Sequence, residues 1–209
     1  LRYLTTGKGM LGSVAAPLRA FVRSREGLEA PDLLLGWVPM LTVPGPKISK
    51  QSGMTCYAHP MRPESTGNIH ITAADPNQPP AINFNFLTAP VDAELTIKAV
   101  RIARSIMTAP ATAPLQVEEL APGAALESDD EILDWIKAAA ETTYHPVGTC
   151  KMGQDDRAVV DERLRVRGIE RLRVADASIM PTLISGNTNA PSIMIGEKAA
   201  EMVLQDATN

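Results

Sequence analysis

The stretch from Tyr144 to Val203 begins with Tyr144-His145-Pro146-Val147-Gly148-Thr149-Cys150. It passes through Arg173-Val174-Ala175-Asp176-Ala177-Ser178 and then Ser185-Gly186-Asn187-Thr188-Asn189-Ala190-Pro191. Pro146 biases His145 out of the helical region, so its imidazole stands at a break between elements, where a group suited to proton transfer near neutrality can point into a cleft. Leu164-Arg165-Val166-Arg167 and Leu172-Arg173-Val174-Ala175 read as two short strands, with Asp176 following the second. Asn189 reads as the N-cap of a helix with Pro191 in its first turn. That helix is expected to pack through Ile193, Ala200, Val203 and Leu204, with Gly196 and Ala200 permitting close approach. Its N-terminus would present free N–H groups and about half a unit of positive charge to an anion. On residues alone, an isolated His is more often structural than catalytic, and Asn187 and Asn189 read equally as left-handed turn and N-cap residues.

Upstream, Ser128-Asp129-Asp130-Glu131 forms a capping box that starts a helix with core positions Ile132, Leu133, Trp135, Ile136, Ala139 and Ala140. The helix is expected to run toward Thr142 and deliver Tyr144 and His145 at its end. Before it, Val91, Leu95, Ala99, Ile102 and Ile106 recur at helical spacing, opposite Glu94, Lys98, Arg101 and Arg104, whose charges read as solvated. Leu33 to Met40 and Met54 to Met61 read as strands around the loop Val43-Pro44-Gly45-Pro46-Lys47. Asn68 to Ala73 alternates with period two, Ile69, Ile71 and Ala73 facing one way and His70 and Thr72 the other, and Ala81 to Phe86 is short and extended. His59, at a strand end before Pro60, and His70, on a polar face, carry no catalytic expectation.

Gly7-Lys8-Gly9-Met10-Leu11-Gly12 satisfies the Gly-x-Gly-x-x-Gly pattern of dinucleotide binding, with Glu29 and Asp32 near the acidic position. Its surroundings oppose that reading. Leu1 to Thr6 lacks the nearly continuous apolar run of a central parallel strand. Pro17 would sit inside the following helix at a cost of about 3 kcal/mol. A Gly-rich loop is the expectation, with NAD binding as its rival.

The 209 residues are 44% hydrophobic, enough to bury a core, and carry a formal charge of -4. No basic patch interleaved with aromatics invites nucleic acid, and no apolar run approaches the roughly 18 residues of a membrane span, although peripheral contact with a membrane stays open. Cys56 and Cys150 stand far apart without ligand spacing, so neither a metal site nor a disulfide framework is signalled. The chain begins at Leu1 with no signal peptide to read, and a cytoplasmic location is the expectation.

Together these motifs resemble the glucose-methanol-choline (GMC) oxidoreductases, flavoproteins that oxidise alcohols. The residues that carry the likeness are Tyr144 to Gly153, Val159-Val160-Asp161, Leu172 to Thr182 and Ser185 to Ala200, with Arg62-Pro63-Glu64-Ser65 and the helix after Thr88 extending it upstream. The resemblance implies His145 as the base that takes the substrate hydroxyl proton while hydride leaves for flavin N5, and Asn187 as the second catalytic residue. Asp176 and Ala177 are implied to meet the FAD pyrophosphate and ribityl region, and Asn189, Ala190 and Pro191 to lie beside the flavin pyrimidine edge. The fold implied is α+β: an antiparallel sheet with flanking helices over residues 1–143, the substrate-binding portion, and strand and helix elements over 144–209 that complete an FAD-binding α/β domain. The family's N-terminal FAD-binding βαβ unit has no counterpart in these residues. The expected partners are therefore a small-molecule alcohol and that missing N-terminal half, and turnover by this stretch alone is not expected. Lyase chemistry on the same scaffold and a non-catalytic interaction module are the alternatives.

Overall fold

The computed structural model describes residues 2–9, 12, 16–43, 47–49, 51–115 and 118–208. Met10 and Leu11 of the Gly-rich run and residues 44–46 of the loop expected between strands lie outside the described residues. The chain forms two compact units, Leu1–Pro60 with Pro90–Ala140, and Met61–Ala89 with Glu141–Asn209. The sequence boundary between residues 143 and 144 follows expected chemistry, whereas the folded units follow contacts and draw Met61–Ala89 to the C-terminal stretch. Among the described residues no helix is long and apolar enough to cross a membrane.

In the first unit a short helix α1 (Arg2–Thr6) precedes the Gly-rich run, and strand β1 (Leu18–Val22) follows Pro17. Helix before and strand after is the reverse of a dinucleotide-binding turn, so among the described residues no element aims a helix N-terminus at a phosphate held by this run. The central strand β2 (Leu33–Val38) pairs antiparallel with β1 on one side and β5 (Thr55–Pro60) on the other, with a two-residue ribbon, β3 (Thr42–Val43) and β4 (Lys47–Ile48), between β2 and β5 in sequence. Leu33 and Leu35 are fully buried and meet Ala99 of helix α2 (Pro90–Met107), with Leu95, Ile102, Ala103 and Ile106 around them. This is the expected apolar stripe of α2 laid on every second residue of β2.

Burial pushes the Cys56 thiol of β5 up to about 11, so it is held as a neutral packing group. Across the sheet, a Cβ on Gly36 would lie 2.3 Å from the Tyr57 ring, so only glycine lets that ring cross β2. Tyr57 in turn stacks on His59, whose Nδ1 lies 2.9 Å from Pro60 O.

The charged face of α2 is not uniformly solvated as the pattern suggested. Arg104 makes a two-pronged pair with Glu119 and also donates to Leu126 O and Gly123 O, tying the 119–126 loop to the helix. Its planar fork meets acceptors that sequence distance hides. The capping box at Ser128 forms as expected and starts helix α3 (Asp129–Ala139), which buries Ile132 and Ile136. Bonds from Ser128 hold the Glu131 carboxyl below its ordinary range. The helix stops at Ala139 rather than running to Thr142, because the β-branched Thr142 and Thr143 ahead are poor helix formers and Ala140 is already extended.

In the second unit β6 (Asn68–His70) and β7 (Ala81–Asn83) form a short antiparallel ribbon. The strand expected to reach Ala73 ends at His70, and Ile71 is 89% exposed, so this ribbon has no covered face within its own unit. The core of the unit is Val160, Leu164, Ile179, Met180, Ile195 and Ala199, with Val147, Met152 and Met202 packed around it. The strands expected over 164–167 and 172–175 reduce to single bridges, Val160 with Val166 and Arg165 with Arg173. The reason is local: the Asp161 carboxylate accepts from Arg163 N, Arg165 N and Arg165 Nε, so the backbone there turns instead of extending into a ladder. Leu164 and Arg171 also adopt positive φ, which interrupts any strand.

Helix α4 (Asn189–Ala207) buries Ile195 and Ala199, not the expected set. Ile193, Val203 and Leu204 are half or more exposed, and a side chain at Gly196 would meet open space, so no close approach occurs there. Near its C-terminus Asp206 is held by Arg163 at 2.6 Å and by Arg173. The Arg173 bond chiefly, aided by Arg163, holds the Asp206 carboxyl below the usual carboxylate range. At Asp161 burial opposes the charge, but the Arg165 and Arg163 bonds outweigh it and the carboxyl is again lowered.

A carboxyl lowered on folding contributes stability that is complete above its unfolded value, about 3.9, and lost as pH falls through the folded value. We expect an acid-unfolding limb, followed by far-UV circular dichroism below about pH 4, that flattens in Asp206→Asn, with the variant less stable than wild type at neutral pH. Superimposable acid limbs would show that the two arginines contribute nothing through this carboxylate.

Candidate active site

The site residues lie in the second unit. Tyr144 adopts φ 61, a conformation disfavoured for an aromatic residue, with its N–H on Thr142 Oγ1 at 3.1 Å. Pro146 then extends the chain at His145, and Val147 anchors the next residue but one in the core. Gly148, at φ 89, turns the chain so that Cys150 N donates to Ser178 O at 3.0 Å and Met152 N to Ile179 O at 2.7 Å. These bonds lay the segment after His145 along the segment after Asp176. Asp176 caps the 3-10 turn Ala177–Ile179 by accepting from Ser178 N at 2.7 Å, so its carboxylate is engaged within its own turn.

The loop before α4 is held from a distance: the Arg62 guanidinium donates to Ser185 Oγ, 123 positions away in sequence. Two residues further on, Asn187 Nδ2 lies 2.7 Å from His145 Nε2, and Thr188 Oγ1 lies 3.0 Å from His145 Nδ1. An amide nitrogen can only donate, so its place beside Nε2 matches the tautomer that carries the proton on Nδ1, the nitrogen that faces Thr188 Oγ1. His145 is half-buried, Thr188 is buried and Asn187 is exposed. A neutral imidazole with its basic nitrogen beside an exposed amide donor can accept a proton from a hydroxyl that the amide orients.

Thr188, not Asn189, is the N-cap of α4, and it makes no side-chain cap bond. Its hydroxyl is turned to His145, which forgoes a cap worth about 1 kcal/mol. No bond among the described residues occupies the N–H groups of Asn189 and Ala190, and Pro191 has none to offer. The helix therefore opens toward solvent with two donors and its positive end.

The structure thus joins His145 and Asn187 directly, places Asn189, Ala190 and Pro191 in the turn that follows, and ties Asp176 and Ala177 to the His145 segment through backbone bonds only. Two residues here were given no site role by the sequence. Thr188 had a readable signal, a threonine one place before the expected cap; Arg62 had none, because its partner is remote in the chain.

The GMC oxidoreductase family model matches residues 63–196. The chain is 44% identical to the alcohol dehydrogenase [acceptor] of Pseudomonas putida, over 97% of this chain and 37% of that protein. It is 41% identical to the oxygen-dependent choline dehydrogenase of Escherichia coli O45:K1 (strain S88 / ExPEC), over 96% of this chain and 36% of that protein. The crystal structure of pyridoxine 4-oxidase from Mesorbium loti superposes with a TM-score of 0.81 at 28% identity, covering 90% of this chain and 37% of the other. The chain thus spans little more than a third of the length of these curated relatives. With its motifs on one folded core and its matched region running through the His145 and α4 segments, the chain belongs to the GMC oxidoreductase family, as its C-terminal domain.

Proposed function

We propose that this domain supplies the proton-accepting and alcohol-orienting side chains of an FAD-dependent oxidation of a CH–OH group. The observation that carries the reading is the 2.7 Å contact between Asn187 Nδ2 and His145 Nε2, with the other ring nitrogen already bonded to Thr188. An alcohol oxygen that replaces the Asn187–His145 bond would receive the amide hydrogen that Asn187 gives to Nε2 and pass its own proton to the freed Nε2. Nearby donors fit the group the family uses: the open N–H groups of exposed Asn189 and Ala190 and the positive end of α4 suit the electron-rich pyrimidine edge of a flavin, and the backbone of half-buried Ala177 suits a phosphate or ribityl oxygen. FAD, when bound, supplies the hydride acceptor that protein side chains lack. The rest of the nucleotide would be held by an N-terminal FAD-binding portion, and the names of the relatives point to small alcohols as substrates.

The balance is simple. His145 would take the hydroxyl proton at Nε2, and FAD, if bound, would supply the acceptor for the hydride and its electron pair, so that the alcohol would leave as a carbonyl product. Asn187 stays neutral and cannot compete for the proton, which is what an orienting group beside a base requires.

The test replaces the matching third of the Pseudomonas putida alcohol dehydrogenase with this chain. The hybrid is expected to carry FAD and to lose its oxidised-flavin absorbance when an alcohol is added without oxygen. A hybrid that binds FAD yet keeps the oxidised spectrum with every alcohol accepted by the parent enzyme would reject oxidation and leave lyase chemistry standing.

A further inference from the structure

We infer that Thr188 is a positioning residue that fixes the proton of neutral His145 on Nδ1 and so keeps Nε2 an acceptor, engaged by the Asn187 amide until a hydroxyl takes its place; as a statement about catalysis it rests on the reading of His145 as the base.

Three observations converge on the Thr188 hydroxyl. Thr188 holds the N-cap position of α4, where a threonine ordinarily bonds into its own first turn, yet it makes no such bond. Its Oγ1 lies 3.0 Å from His145 Nδ1 instead. Thr188 is only 9% exposed, so water cannot readily serve this hydroxyl and it depends on a protein partner. A local rule broken at one residue, with the freed group turned on the imidazole, is the pattern of a functional constraint.

The consequence follows from donor and acceptor chemistry. Free histidine prefers its proton on Nε2. Here that tautomer would set an Nε2 donor against the Asn187 amide donor at 2.7 Å and would leave no acceptor for a substrate proton. With the Asn187 amide nitrogen set against Nε2, the proton falls on Nδ1, and the Thr188 hydroxyl, which can accept as well as donate, takes the acceptor's part there. Both ends of the bond are seated in one core, since Val147 follows His145 and Ile195 lies two turns into α4 behind Thr188. The imidazole therefore meets the hydroxyl in one geometry, before any ligand arrives.

The direct experiment uses 15N-histidine in the 209-residue chain, at a pH where its three imidazoles are neutral, with the His145 signals assigned by their loss in His145→Gln. Wild type is expected to show a protonated Nδ1 and an unprotonated Nε2 at His145. Thr188→Val, close in shape but without the hydroxyl, is expected to move the proton toward Nε2, and Thr188→Ser to restore the wild-type pattern. Should valine disturb the fold, Thr188→Ala is read in the same way. A protonated Nε2 in wild type overturns the inference without any variant, as does an unchanged tautomer in a folded variant lacking the hydroxyl.

In the hybrid enzyme, Thr188→Val is expected to lower kcat by about tenfold, the worth of one hydrogen bond to a reacting group, with a smaller change in KM and recovery in Thr188→Ser. Loss in His145→Ala with no loss in Thr188→Val overturns the role of Thr188 alone. Activity retained in His145→Ala overturns the base assignment, and the catalytic role of Thr188 with it.

Discussion

Replacing His145 with alanine in the hybrid enzyme is expected to lower the rate of alcohol-driven flavin reduction by about 10²- to 10⁴-fold, the usual contribution of a positioned general base. The groups left behind explain why the loss is large. Asn187 faces the vacated position with its amide nitrogen, which donates and cannot take a proton. Thr188 is buried, and its hydroxyl is far too weak a base. FAD absorbance should persist, because the donors proposed for the cofactor are the backbone groups of Ala177, Asn189 and Ala190. His145→Gln separates two contributions: its amide restores hydrogen bonding but not basicity, so it should recover little of the rate. Stopped-flow reduction under anaerobic conditions reads both variants, and reduction by His145→Ala at the wild-type rate would remove His145 from the chemistry.

The second large effect is on stability. Ile195→Ala removes a side chain that is 6% exposed and packed among Val160, Leu164, Ile179, Met180 and Ala199, and is expected to cost about 2–5 kcal/mol. Against an unfolding free energy of about 5–15 kcal/mol for a folded domain, that is a large share. Ile193→Ala, only two residues earlier but 60% exposed, should change stability by less than about 0.5 kcal/mol. Urea unfolding followed by far-UV circular dichroism compares the two, with the midpoint as the readout. A larger loss at Ile193 than at Ile195 would mean that α4 buries the face suggested by the sequence pattern rather than the one that meets Val160.

That contrast shows where legibility ended. Period and chemistry named α2, α3 and their boundaries to within a few residues, because an apolar stripe at Leu95, Ala99, Ile102 and Ile106 and a capping box at Ser128 act over one or two turns. In α4 apolar residues occur nearly all round, so periodicity could not choose between Ile193 and Ile195. Only the partner surface from Val160 and Ile179 chooses. The strands expected at 164–167 and 172–175 failed for a related reason: their alternation was sound, but a single carboxylate, Asp161, met the backbone donors first.

By itself, then, the sequence determined the family, the α+β class and the pairing of His145 with Asn187 as candidates, since these rest on residue types in local runs. The tertiary structure decided what sits on each side of the imidazole. It placed Asn187 at Nε2, turned the Thr188 hydroxyl from its own helix to Nδ1, and reached from Arg62 to Ser185 to hold the loop between. Those contacts cross 42, 43 and 123 positions of chain. No local propensity encodes a partner at that distance; it is set by the core that brings Val147 and Ile195 together.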